Sequence, residues 1–235
     1  MSALRATPAE LDRLVSFSTC ELSDALIKLK HPTGGYLPDL ERFSGQEGKP
    51  LVGEVFTVEM VDARDVKPLK LDGHFVDLAE PGTIVLISSP FHAKSASLGG
   101  LLATALHLKG VKGAVISGRC RDLAELRALD FPVFARGHSV LGQSPFTRPS
   151  RVQVPLTISP SPSASSSSDL EFPPTTVHPY DVLVADADGV IAIRPEALDE
   201  VMRMAEEGRA VDARCRTDLL QGRGVAETFK RHRGK

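Results

Sequence analysis

The sequence predicts an α/β protein with a locally parallel sheet, on the strength of three stretches. Thr83-Ile84-Val85-Leu86-Ile87 and Ala114-Val115-Ile116 are short, apolar and β-branched, as strands buried on both faces are. Between them Leu98, Leu101, Leu102, Ala105 and Leu108 recur at helical spacing, which predicts a helix with one apolar face. Asp122 to Leu129 then reads as a short helix and Pro132-Val133-Phe134-Ala135 as a third strand. Strand–helix–strand–helix–strand implies crossovers, and hence parallel neighbours.

The other elements follow in chain order. Pro8 to Leu29 is helical by pattern, with Thr7 before Pro8 and Glu10 at one start, and Ser18 or Thr19 as the cap of a second helix. Glu21 and Asp24 fall in that second helix, where complementing the helix dipole accounts for them better than catalysis does. Leu37 to Pro50 reads as loop, residues 51–61 as a strand with one partly polar face, and 62–70 as charged loop. Gly73 to Leu78 suggests a short helix before the Pro81-Gly82 turn. After the third strand comes a Ser/Gly/Pro/Arg-rich loop to Ser150, then a strand over 152–158. Residues 159–170 are Ser/Pro-rich and of low complexity, which predicts a surface insertion without a core. Val182–Ala185 and Val190–Ile193 flank Asp186-Ala187-Asp188-Gly189, a β-hairpin signature. A calcium-loop reading of those aspartates fails, because the twelve-residue spacing ending in Glu is absent. Pro195 to Glu207 is an amphipathic helix, and 212–230 holds one or two more.

Composition bounds the function. With 42% hydrophobic residues in 235, the chain has material for a sizeable core, expected as one domain over 1–235. A formal charge of −2 argues against wrapping nucleic acid, and the basic stretch Lys230 to Lys235 reads as a solvated, frayed tail. No run of about 18 apolar residues occurs, so no membrane span is expected. Residues 1–5 lead into a charged amphipathic stretch rather than a signal-peptide core. Cys20, Cys120 and Cys215 are odd in number and widely spaced, which suggests reduced thiols and a cytoplasmic location. Cys120 lies between Arg119 and Arg121, which favours its thiolate, but no His is placed nearby in sequence to act as base. His74 and His92 lack a suitably spaced partner for metal binding and read as surface or hydrogen-bonding residues.

In open α/β sheets ligands bind beyond the carboxyl ends of the strands. Two features converge there. Gly99 and Gly100 open a helix whose unpaired N–H groups can hold an anion. Arg121 and Asp122 leave the next strand, offering a guanidinium fork and a hard oxygen ligand. Taken alone, Asp122-Leu123-Ala124-Glu125 also matches a helix capping box, and Arg121 an ordinary surface charge.

The spacing Gly100, twenty residues, Arg121-Asp122, two residues, Glu125 resembles the motif of the metal-dependent 4-hydroxy-4-methyl-2-oxoglutarate aldolases and of the related RraA regulators of ribonuclease activity. Residues 19–26, 51–58 and Asp186-Ala187-Asp188-Gly189-Val190 resemble the same family, so the likeness covers most of the chain. It implies a three-layer β/β/α sandwich of swivelling-domain type, with a partly parallel central sheet. It implies a divalent cation, Mg²⁺ or Mn²⁺, on Asp122, with Glu125 orienting its waters. It places a 2-keto acid carboxylate on the N–H groups of Gly99, Gly100, Leu101 and Leu102, and Arg121 on the keto oxygen. The activity implied is aldol cleavage to pyruvate through an enolate, with oxaloacetate decarboxylation beside it. A homotrimer or hexamer is implied too. The alternative is a non-catalytic regulator that binds a ribonuclease or another protein. Schiff-base chemistry at Lys94, Lys109 or Lys112 is disfavoured, and a methyltransferase role lacks a G-x-G-x-x-G after a strand. One departure stands out: many family aldolases carry an acid at the position of Gly100, which here leaves proton transfer to water or to a neighbouring subunit's carboxylate.

Overall fold

The computed structural model describes residues 4–161 and 172–234. In chain order, α1 (Pro8–Leu14) and α2 (Thr19–Lys28) precede β1 (Tyr36–Leu37), β2 (Glu41–Ser44) and β3 (Leu51–Asp62). Next come α3 (Phe75–Leu78), β4 (Ile84–Ser88), α4 (Gly100–Leu108), β5 (Gly113–Cys120), α5 (Leu123–Ala128) and β6 (Val133–His138). β7 (Thr147–Val152), β8 (Leu156–Ile158), β9 (Thr175–Val177), β10 (Val182–Ala185) and β11 (Val190–Ile193) follow. A 3₁₀ turn over Pro195–Ala197 leads into α6 (Leu198–Leu220), and α7 (Val225–Arg233) comes last.

The sheet is organised on β3. Its first four residues pair antiparallel with β10, and Val55 to Glu59 pair in parallel with β4 on the other edge. From β4 the parallel order runs through β5 to β6, and β2 closes that edge antiparallel. Beyond β10 lie β11 and β1, both antiparallel. β7 pairs with the last residues of β3, and β8 and β9 form a separate two-stranded sheet.

Period-two alternation along the parallel strands divides the core. Val85, Ile87, Ala114, Ile116, Val133 and Ala135 pack with Ala103, Leu106 and Leu126 of α4 and α5. Leu86, Val115 and Phe134 point the other way, against Leu183, Ala185 and Val190 of the antiparallel half and against β8 and β9. This is a β/β/α sandwich with a partly parallel sheet. The outer face of β10 and β11 is covered in turn by α1, α2 and α6, through Leu14, Leu22, Leu26, Val201 and Met202. The N-terminal segment is tied to the sheet: Arg5 Nε and the Ala6 N–H both donate to the buried carboxylate of Glu54 on β3, at 2.7 and 2.8 Å.

Several local expectations are corrected. Residues 37–50 are not all loop, since β2 forms there; it is an edge strand, and its charged Glu41 and Arg42 hide the apolar signal. β7 likewise lies in the expected loop before residue 150, with Pro149 tolerated on a strand that pairs along one side only. The strand expected over 152–158 divides between the end of β7 and β8. Along β3 the partly polar face is buried instead: the Thr57 hydroxyl is satisfied by the Val154 carbonyl at 2.7 Å. The basic tail continues α7 as far as Arg233, where His232 lies 2.9 Å from Asp218 and Arg233 lies 2.6 Å from Asp212. The Ser/Pro-rich insertion falls outside the described residues from 162 on. On α4 the apolar face is not the one expected. Gly100, Ala103 and Leu106 are buried, whereas Leu101 is 84% and Leu108 80% exposed. The helix sits on the sheet by its small residues, which allow the closer approach.

Candidate functional site

β4 and β5 run parallel, their pairing ending at Ser88 opposite Ser117 with β5 continuing to Cys120, so the chain leaves both toward one end of the sheet. The strand-like bridge between Leu98 and Cys120, and the bond from the Arg121 N–H to the Leu98 carbonyl at 3.0 Å, zip the two exits together. Gly99-Gly100 and Arg121-Asp122 therefore lie side by side. The Gly100 N–H donates to Asp122 Oδ2 at 3.0 Å, and Arg121 Nε lies 3.3 Å from the same oxygen.

The backbone explains why these residue types stand here. Asp122 adopts φ 60° and ψ 44°, a left-handed conformation that Asp tolerates better than most residues. Its side chain makes no capping bond to α5, so the capping-box reading fails; the carboxylate crosses to the first turn of α4 instead. The glycines are spatial requirements. A Cβ on Gly99 would stand 2.5 Å from Asp122 Oδ2, and one on Gly100 would stand 1.8 Å from Glu125 Oε2. The Glu125 carboxyl thus fills the space that a side chain at position 100 would occupy.

Gly99, Leu101, Leu102, Arg121, Asp122 and Glu125 line an open pocket of about 480 Å³. All the residues expected at the site are thus brought together, with two refinements. Gly100 does not itself line the pocket, and its N–H is engaged by Asp122, which leaves those of Leu101 and Leu102 for a ligand. Gln143 also lines the pocket, and sequence reasoning missed it. It comes from the loop after β6, held by the Ala96 N–H to Leu141 carbonyl bond at 3.0 Å, and no spacing signal in the sequence joins it to the motif. Next to it Gly142 lies against Arg121, where a Cβ would be 2.9 Å from a guanidinium nitrogen.

Other candidates resolve away from the site. Cys120 is fully buried, and burial pushes its thiol up to about 11, opposite to the expected activation. Lys109 donates to the carbonyls of Val76 and Asp77, and Lys112 to that of Val52 at 3.0 Å. His74 caps α3 by accepting from the Val76 N–H. Glu21 pairs with Arg209 and closes a capping box on Ser18, as a first-turn acid should. Among the described residues no three His, Cys, Asp or Glu side chains cluster as a metal cage. What remains suits a hard cation that keeps most of its waters: Asp122 Oδ2 is anchored, and Oδ1 takes no hydrogen bond among the described residues.

A family model described as RraA-like (Aldolase/RraA) matches residues 19–192, a span that includes every residue of this site. The chain belongs to the RraA-like family. It is 27% identical over 208 residues, 87% of either chain, to a protein of Halalkalibacterium halodurans named "Putative 4-hydroxy-4-methyl-2-oxoglutarate aldolase". Two crystal structures share the fold. One, an uncharacterized protein from Pseudomonas syringae, has a TM-score of 0.76 and 24% identity, over 96% of this chain and 98% of that one. The other, Streptomyces coelicolor RraAS2, described as an unusual member of the RNase ES inhibitor RraA protein family, has a TM-score of 0.73 and 21% identity, over 91% and 99%. This RraA-like chain has no helix, among the described residues, long and apolar enough to cross a membrane.

Proposed function

We infer that the protein is a divalent-cation-dependent lyase that cleaves 4-hydroxy-4-methyl-2-oxoglutarate-type 2-keto acids to pyruvate and also decarboxylates oxaloacetate. The observation that carries this reading is the joint placement of Arg121, Asp122 and Glu125 around the first turn of α4, in one open pocket. Asp122 would hold Mg²⁺ or Mn²⁺ through its free oxygen, and the cation would polarise the 2-keto acid. The substrate carboxylate accepts from the N–H groups of Leu101 and Leu102, aided by the helix dipole. Glu125 takes the proton of the C4 hydroxyl. The C3–C4 bond then breaks, one pyruvate leaves as the ketone, and the electron pair moves onto the remaining fragment as its enolate. Arg121 meets the charge that develops on the enolate oxygen, and a proton returned to C3 gives the second pyruvate. Donors of this kind are worth on the order of 3 kcal/mol, or about 10²-fold in rate.

The test is pyruvate release from both substrates with Mg²⁺ or Mn²⁺, with and without chelator. Turnover is expected to vanish with chelator and to fall by at least about 10²-fold in Arg121→Ala. If chelator and Asp122→Asn leave turnover intact, the cation-dependent reading is wrong. If no substrate is turned over under any condition, a regulator that binds a protein partner replaces it.

A further inference from the structure

A second pocket lies at the same ends of the parallel strands, on the opposite face of the sheet. Alternation places it. On β4, β5 and β6 the apolar residues Leu86, Val115 and Phe134 face the antiparallel half, and two positions further on stand Ser88, Ser117 and Arg136. These three, with Arg119 and Lys94, line a pocket of about 300 Å³. Thr157, Ser159 and Ser161 also line it.

Its charge is one-sided. Among the described residues the lining holds three cations and no carboxylate. A solvated basic surface does not describe it, because the Arg136 side chain is only 11% exposed. That guanidinium donates to the Ser117 hydroxyl at 3.1 Å, to the Ser161 hydroxyl at 3.4 Å and to the Ser159 carbonyl, and lies over the Phe91 ring. The carboxylate that meets it, Asp39, lies 3.6 Å away, is itself 43% exposed, and also accepts the Ser161 N–H. Burial accordingly pushes Arg136 below its ordinary range, with Asp39 opposing. Arg119 donates to the His138 carbonyl at 3.0 Å, and Lys94 has no hydrogen bond or ion pair among the described residues. Among the described residues the one carboxylate partner of Arg136 is thus exposed and at 3.6 Å, so the pocket stays net positive, a charge that a bound anion neutralises.

We propose that this pocket is a second ligand site, separate from the one between α4 and α5, for a small phosphoryl oxyanion: inorganic phosphate or the phosphate of a small monoester. Three cations match a dianion better than a single carboxylate. Hydroxyls on several walls suit the oxygens of a tetrahedral group, and guanidinium forks bind phosphate in bidentate fashion. The two sites lie back to back across β5, since Cys120 turns into the α-helical layer while Arg119 lines this pocket.

Isothermal titration of the full chain, without divalent cations, decides the matter, with inorganic phosphate and glycerol phosphate as ligands and chloride at matched ionic strength as control. Saturable binding of one anion per chain is expected, weakened several-fold by Lys94→Gln and about tenfold or more by Arg119→Gln. Tighter binding of glycerol phosphate than of phosphate would assign the site to a monoester; the reverse would assign it to the free ion. Heats no larger than those of chloride overturn the proposal. So does phosphate binding that both variants leave unchanged, which would make it nonspecific. Lys94 is exposed and makes no bond among the described residues, so Lys94→Gln folds and gives a reading even if Arg119→Gln does not.

Discussion

Position 100 admits no side chain while Glu125 keeps its own. Gly100→Ala is expected to destabilise the chain by about 1–3 kcal/mol, as overpacking does, and to abolish pyruvate release. Denaturant unfolding and turnover measure the two effects, and Gly100→Ala combined with Glu125→Ala should recover stability but not activity. At Asp122 the backbone and the chemistry separate. Asp122→Asn keeps a residue type that accepts the left-handed conformation, so folding should survive while turnover falls by about 10²-fold. Asp122→Ala should add about 1 kcal/mol of destabilisation, because Ala pays for that conformation. That these residues would meet was legible from the strand end, the glycine-opened helix and the resemblance to a known family, since taken alone each also fitted a cap, a turn or a surface charge. The route of the Asp122 side chain was not: capping its own helix and bonding to a neighbouring one look identical in a sequence, and only the bridge between Leu98 and Cys120 decides.

α4 shows what periodicity conveys and what it leaves open. Spacing revealed the helix but chose the wrong face, because leucines on both sides make the pattern ambiguous and glycine and alanine score as weak core formers. The contrast is measurable. Leu106→Ala is expected to cost about 2–5 kcal/mol, whereas Leu101→Ala should change the unfolding free energy by under about 0.5 kcal/mol. α2 was the easier case, since Ser18 and Glu21 spell a capping box and form one. There the Arg209 guanidinium, with Ser18, holds the Glu21 carboxyl down at about 2, against an ordinary 4.5. A carboxyl depressed by folding stabilises the native state above its unfolded pKa, and that contribution is lost as pH falls through the folded value. Stability should therefore decline between pH 4.5 and about 2. In Arg209→Gln that decline should be shallower, as read by thermal unfolding across the range.

Across the whole molecule β3 belongs to both halves of the sheet, carrying β10 on its first residues and β4 on the next. One cooperative unfolding transition is expected, with the fluorescence and far-ultraviolet dichroism curves coincident. Two separable transitions would mean that the chain folds as two units. The parallel order from β4 to β6 was readable because those strands are buried on both faces and nearly continuous in hydrophobicity. The edge strands β2 and β7 were not, since an edge is kept soluble by the charges and proline that erase a strand's signature.

Glu54 sits inside that shared strand, answered by Arg5 and the Ala6 N–H. Trimming the chain ahead of Thr7 would leave this carboxylate stranded in the middle of the sheet. Preparations that differ by half a dozen residues at the amino end would then differ in melting temperature and shelf life. Purification tags are best carried beyond α7, and any leader cleavage should be checked by mass before stabilities are compared.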